Sequence, residues 1–157
     1  VTESRSVHVE RLIAAPAEQI FAVLADPRRH AELDGSGMVQ GAARVPEHLG
    51  LGAEFEMNMR QRRDYRSVST VVEYEQDRLL TWETVGRWRG RKVIGGQWWR
   101  YRLTPQGQRT LVRHSYLWGR ASLPLLTIWL PGFPRRMAPA MRDSLKRLAT
   151  ITERGQD

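Results

Sequence analysis

Ser6-Val7-His8-Val9-Glu10-Arg11-Leu12-Ile13 reads as a strand, and it runs straight into Ala15-Pro16-Ala17-Glu18-Gln19-Ile20-Phe21-Ala22-Val23-Leu24-Ala25-Asp26-Pro27, which reads as a helix. The strand is expected over about residues 5–14, with Val7, Val9, Leu12 and Ile13 supplying most of its apolar content. Pro16 suits a helix start, because its ring presets a helical φ and its missing N–H costs nothing in the first turn. Ile20, Phe21, Val23 and Leu24 then form an apolar stripe with helical spacing. Asp26-Pro27 ends this helix and opens a second short one through His30 and Leu33, before the turn Gly35-Ser36-Gly37.

Strands follow for most of the remaining chain. They are expected over residues 38–46, 52–61, 65–75, 79–85, 97–104 and 110–119. In the second of these, Ala53, Phe55, Met57 and Met59 alternate with Glu54, Glu56, Asn58 and Arg60, giving one dry face and one wet face. By the same period Val68, Thr70, Val72 and Tyr74 are assigned inward, as are Trp82, the set Trp99, Tyr101, Leu103 and the set Val112, His114, Tyr116, Trp118. A last helix is expected over residues 134–153, with Met137, Met141, Leu145, Leu148 and Thr152 on one face, and Pro139 either in its first turn or at a kink. One strand, two short helices, a run of strands and a long helix predict an α+β fold. A curved antiparallel sheet wraps the C-terminal helix, with a cavity between them, in a single domain over residues 1–157.

Composition bounds the function. The 157 residues are 41% hydrophobic and 27% charged, the balance of a soluble globular domain. Cysteine is absent, which excludes disulfides and thiolate zinc sites. No signal-peptide pattern opens the sequence, and the longest apolar stretch falls short of the ~20 residues a bilayer span needs. A cytoplasmic protein is expected. The net charge of +8 comes from arginines spread over many elements, with local pairs at Arg28-Arg29, Arg62-Arg63 and Arg135-Arg136 and a cluster from Arg87 to Lys92. A nucleic-acid surface gathers such charge on one element, so a solvated surface with no nucleic-acid partner is the expectation. Walker, Gly-x-Ser-x-Gly and dinucleotide glycine motifs are absent, and no cofactor is expected.

Several stretches carry a family resemblance: Val9-Glu10 through Ala15-Pro16-Ala17-Glu18, Phe21-Ala22-Val23-Leu24-Ala25-Asp26-Pro27, and the hairpin from Val72-Glu73-Tyr74 to Leu80-Thr81-Trp82. Trp99-Arg100-Tyr101-Arg102-Leu103-Thr104-Pro105, with Gly107 and Thr110, completes the set. Together they resemble the START/Bet v 1-like (SRPBCC) superfamily, in its bacterial polyketide cyclase/dehydrase-type branch. The resemblance implies a helix-grip fold whose members carry, sense, cyclise or dehydrate lipids, sterols, polyketides and other hydrophobic molecules, with no single catalytic motif. Where relatives often have tryptophans in the second short helix, this chain has His30 and Leu33.

With the inward phases assigned above, the expected ligand-binding residues are Leu33, Phe55, Met57, Met59, Trp82, Trp99, Tyr101, His114, Tyr116, Met137, Met141 and Leu145. Methionine adapts to irregular ligands, and indole offers a flat face with one N–H donor. His114 and Tyr116 lie two apart on one strand and so share a face. In an apolar cavity they are the weak candidates for proton transfer. The competing reading has His114 bonded to a backbone group and Tyr116 packed against the helix. His30 and Asp34 lack a third metal ligand, so no metal is expected. Glu54, Glu56, Arg100 and Arg102 are expected on the solvent face.

Leu123-Pro124-Leu125-Leu126-Thr127-Ile128-Trp129-Leu130-Pro131-Gly132-Phe133 admits two readings. It packs over the sheet end or forms a homodimer contact, or it is an apolar lip that meets a membrane surface through Trp129 and Phe133, flanked by Arg120, Arg135 and Arg136. Function is read as binding of a small hydrophobic molecule, lipid- or polyketide-like, by a carrier or sensor. The alternative is a polyketide cyclase or dehydratase using the same cavity.

Overall fold

The computed structural model describes residues 5–129 and 131–155, apart from the side chains at 88, 92–94, 128 and 129. Strand β1 (Ser6–Ile13) leads into helix α1 (Ala17–Leu24), one 3₁₀ turn (Pro27–Arg29) and the short helix α2 (His30–Leu33). Then come β2 (Val39–Arg44), β3 (Glu54–Arg60), β4 (Asp64–Glu75), β5 (Leu79–Trp88), β6 (Arg91–Gln106) and β7 (Arg109–Leu117). A π-helical segment (Leu125–Trp129) precedes the long helix α3 (Phe133–Arg154). The strands form one antiparallel seven-stranded sheet in the order β1-β7-β6-β5-β4-β3-β2. This is the α+β helix-grip architecture, a curved sheet wrapped around α3 with two short helices after β1.

Local chemistry explains the helical corner. Pro16 is the N-cap of α1 with extended backbone, and its carbonyl accepts from the Gln19 and Ile20 amides. Asp26 caps the 3₁₀ turn, its Oδ1 accepting from the Arg28 amide at 3.1 Å. Ile20, Phe21, Val23 and Leu24 are buried, and each such burial contributes ~1.5–3 kcal/mol. After α2 the chain lies directly on α3. A Cβ at Gly35 would collide with the Ala140 carbonyl, while the Gly35 amide donates to Ser144 Oγ at 2.9 Å. Arg147 Nη1 donates to the Asp34 carbonyl at 3.1 Å. Those bonds anchor the α2–β2 turn to the middle of α3.

Met137, Met141, Leu145, Leu148 and Thr152 of α3 are all buried, as their spacing predicts. Pro139 lies inside α3, so the helix has no N–H to offer the Arg135 carbonyl.

On β1, Val9 and Ile13 are buried while Leu12 is 43% exposed. Two expectations are corrected. In β4 the inward residues are Tyr65, Ser67, Ser69 and Val71, not Val68, Thr70 and Val72. A bulge between Val71 and Glu73 then shifts the phase, so Tyr74 does turn inward and meets the Phe21 ring edge-on at 5.5 Å. Gly95-Gly96 lies inside β6 instead of preceding it, with the register shifted against Thr84 and Val85 of β5.

Candidate functional site

Between the concave face of the sheet and α3 lies a cavity of about 570 Å³. Its sheet wall is built by Phe55, Met57 and Met59 from β3, Tyr65, Ser67 and Ser69 from β4, and Trp82 from β5. Trp99 and Tyr101 from β6 and His114 and Tyr116 from β7 complete that wall. Leu24, His30 and Leu33 close the corner, and Met137, Ala140, Met141 and Ser144 of α3 form the opposite side. Every residue expected to face a ligand therefore lines this one space except Leu145. Leu145 is corrected to the core: the α3 surface toward the cavity is taken by Met137, Ala140, Met141 and Ser144, and Leu145 lies 1% exposed away from it.

The aromatic residues stand as a ladder across the wall. Direct cross-strand pairing brings His114 against Tyr101 and Tyr116 against Trp99. His114 stacks on Tyr101 with ring centroids 3.9 Å apart and planes 12° apart, and Trp99 stacks on Tyr116 at 4.4 Å and 22°. Trp82 continues the ladder to Tyr101 at 5.7 Å, and His30 stacks on Trp82 at 5.0 Å. Side chains directly opposite each other on adjacent antiparallel strands meet in this way.

The aromatic ladder itself is neutral, but the cavity lining also includes Asp34, Arg63, Asp64 and Arg87, whose Nε is buried without a hydrogen-bond partner among the described residues. Burial pushes His114 down to about 3, and neither of its ring nitrogens has a hydrogen-bond partner among the described residues. The backbone bond expected for His114 is thus not formed. His30 is lowered by burial too, against the opposing pull of its bond to the Leu24 carbonyl and of Asp26 and Asp34. Its Nε2–H donates to that carbonyl at 2.8 Å, which fixes the neutral tautomer. Tyr101 and Tyr116 are raised, burial being the first cause in both. Asp34 is the acid at the corner, and it is occupied. Its oxygens accept from the Ser36 amide and hydroxyl and from the Val39 amide at 3.0, 2.6 and 2.9 Å.

The rim is polar. Gln61, Arg63 and Asp64 on the β3–β4 hairpin border the cavity, as do Ser36, Met38, Thr127 and Phe133. Among the described residues no cluster of His, Asp or Glu has the makings of a metal site. Glu56 and Arg100 turn away from the cavity and are held on the outer face. Glu56 sits between Arg44 and Arg66 at 3.5 and 3.7 Å, and Arg100 reaches Glu73 at 2.7 Å. Glu54 and Arg102 are exposed.

Tyr65, Ser67, Ser69 and His30 are among the cavity residues that the sequence pattern did not single out. A two-residue period through Tyr65, Ser67, Ser69 and Val71 was present, but two serines do not mark an inward face. Ser69 is satisfied there by Thr84 Oγ1 at 2.9 Å. In the 123–133 segment, the Trp129 side chain and Leu130 lie outside the described residues, while Leu123, Leu125 and Leu126 are exposed.

Among the described residues no helix is long and apolar enough to cross a membrane. The model of a family described as polyketide cyclase / dehydrase and lipid transport matches residues 4–153. An uncharacterized protein of Mycobacterium tuberculosis strain H37Rv is 34% identical over 98% of this chain, which spans 65% of that relative's length. The fold is shared with an Arthrobacter aurescens protein solved by NMR, at a TM-score of 0.73 and 15% identity over 97% of this chain and 88% of the other. A Chromobacterium violaceum crystal structure matches at a TM-score of 0.70 and 14% identity over 96% and 98%.

Proposed function

This chain belongs to the polyketide cyclase / dehydrase and lipid transport family, and from that premise we propose that its cavity takes up one small hydrophobic molecule, lipid- or polyketide-like, to carry or sense it. The observation that carries this reading is the about-570 Å³ space walled by Met57, Met59, Met137, Met141 and the aromatic ladder. That volume lies within the ~300–1,000 Å³ of small-molecule sites, and a mostly apolar lining with a few polar groups is their usual chemistry. Methionines on facing elements allow the wall to adjust to a ligand's outline.

The reading favours binding over turnover because burial favours the neutral forms of His30, Tyr101, His114 and Tyr116 in the aromatic ladder. An imidazole lowered to about 3 is a poor proton acceptor near pH 7. The enzymatic alternative, a cyclase or dehydratase, keeps one supporting observation: His114 and Tyr116 face the same space two residues apart on β7. In that case the cavity would hold a reactive chain folded while Tyr116 donates a hydrogen bond to a carbonyl or enolate and His114 assists.

Native mass spectrometry of the purified protein, with organic extraction of what it holds, tests both. A single hydrophobic species at one per chain, recovered unchanged, is the expected result. If the protein comes out empty, titration with a neutral environment-sensitive dye decides. Absence of saturable binding that Ala140→Phe can block would overturn the proposal. Chemical conversion of a bound polyketide that disappears in His114→Ala, with binding retained, would establish the enzyme instead.

A further inference from the structure

Three large apolar side chains stand in water next to the cavity. Leu123, Leu125 and Leu126 are 70%, 53% and 61% exposed, whereas Leu24, Leu33, Leu80, Leu103, Leu145 and Leu148 are buried. Their segment is a built structure. Leu123 adopts a left-handed backbone at φ 47, and its carbonyl accepts from the Leu126 and Thr127 amides, both at 3.0 Å. Thr127 Oγ1 adds a bond to the Ser122 carbonyl at 2.8 Å. Thr127, next to Leu126 in the chain, lines the cavity, as does Phe133 further on. The leucines thus sit at its rim.

The chain segment that bears the patch carries charge of one sign. From Ser115 to Arg142 the chain has arginine at 120, 135, 136 and 142 and no aspartate or glutamate. Arg120, Arg135 and Arg136 are exposed. The Arg120 guanidinium lies 4.2 Å from the centre of the Trp98 ring and that of Arg136 lies 4.9 Å from the Phe133 ring, which holds both cations beside apolar surface. On the β3–β4 hairpin exposed Arg63 borders the cavity beside Asp64, whose carboxylate accepts from Arg60 Nε at 2.8 Å.

We propose that this leucine-bearing segment docks the protein onto an anionic phospholipid bilayer, so that the rim of the cavity opens against the lipid surface. Apolar tips that enter the acyl boundary and arginines that meet lipid phosphates are the two components of interfacial binding. A second copy of this chain fits less well. A two-fold contact would set the same acid-free arginines against one another with no carboxylate of the segment to pair them. The role of the docking, passage of a hydrophobic ligand between bilayer and cavity, rests on the function proposed above; the docking does not.

The test uses the full chain with vesicles of phosphatidylcholine alone and of phosphatidylcholine mixed with phosphatidylglycerol. Co-sedimentation is expected only with the mixed vesicles, weakening as salt is raised. Leu125→Glu combined with Leu126→Glu is expected to lower vesicle binding by roughly tenfold or more while leaving cavity binding of a neutral dye unchanged. Arg135→Glu combined with Arg136→Glu is the second variant, expected to lower it by a similar factor. Equal binding to both vesicle types, no binding to either, or parental binding by both double variants would overturn the proposal. Concentration-dependent dimerisation that the leucine variant abolishes would also overturn it and assign the patch to a second copy. Loss of dye binding in the parent protein would fall on the cavity reading alone.

Discussion

The imidazole of His114 lies flat on the phenol ring of Tyr101, 3.9 Å between centroids and 12° between planes, with neither imidazole nitrogen hydrogen-bonded among the described residues. The pairing follows from register, since Tyr101 and His114 are direct partners between β6 and β7. On its other side β7 sets Val9 of β1 opposite His114. A side chain wedged between two neighbours gains stacking and dispersion. A buried polar atom left without a hydrogen-bond partner costs about 1–3 kcal/mol.

His114→Phe should therefore be tolerated. Phenylalanine keeps the stack on Tyr101 and removes both unsatisfied nitrogens, so stability at pH 7 should stay the same or rise by about 1 kcal/mol. Urea unfolding of both proteins measures it. A loss of more than about 2 kcal/mol would mean that the nitrogens are paired, for instance through water.

Stability should fall as the solution is acidified from about pH 6.5 to 5. The unfolded chain's histidine takes up a proton near 6.5, while the buried His114 resists protonation until about 3. His30 is shifted in the same direction. The unfolded state thus binds more protons in this window, and each histidine removes up to about 1.4 kcal/mol per pH unit. This part of the stability is fully present above the unfolded pKa and is lost as pH falls toward the folded one. His114→Phe should make the pH profile shallower; an unchanged slope would show that His114 is solvated in the folded protein.

Ala140→Phe should fill the cavity from the α3 side. A neutral dye that binds the parent protein should lose roughly tenfold or more in affinity, because the added ring occupies space the ligand needs. Unaltered dye affinity together with an unchanged melting temperature would place the dye elsewhere.

Gly35→Ala should destabilise by about 1–3 kcal/mol, since its Cβ meets the Ala140 carbonyl and the turn must lift from α3. Backbone amide exchange should show where. Faster exchange is expected at the Gly35 amide, which donates to Ser144 Oγ. Wild-type protection there, with full stability, would argue against the contact.

Much of the architecture was legible along the chain because it depends on short-range periodicity. The Pro16 helix start, the alternation from Phe55 to Met59 and the four-residue spacing of Met137, Met141 and Leu145 each report which side of an element is dry. The same periods brought Trp99, Tyr101, His114 and Tyr116 to one face. They could not separate a cavity wall from solid core, which is why Leu145, in phase with Met141, belongs to the core. Nor could they carry across an irregularity: one bulge near Val72 reverses the inward set of β4 and brings Ser67 and Ser69 to the cavity.

What the sequence determined by itself is the order of elements and the apolar face of each, since both follow from local propensity and side-chain alternation. Tertiary structure alone decided that His30 stacks on Trp82, that neither ring nitrogen of His114 finds a partner among the described residues, and that Leu123, Leu125 and Leu126 stand in water beside the rim. Those outcomes depend on which strands are neighbours, on the bulge that sets their phase, and on how closely α3 approaches the sheet. They are relations between residues far apart in the chain, and no local pattern encodes the space left between them.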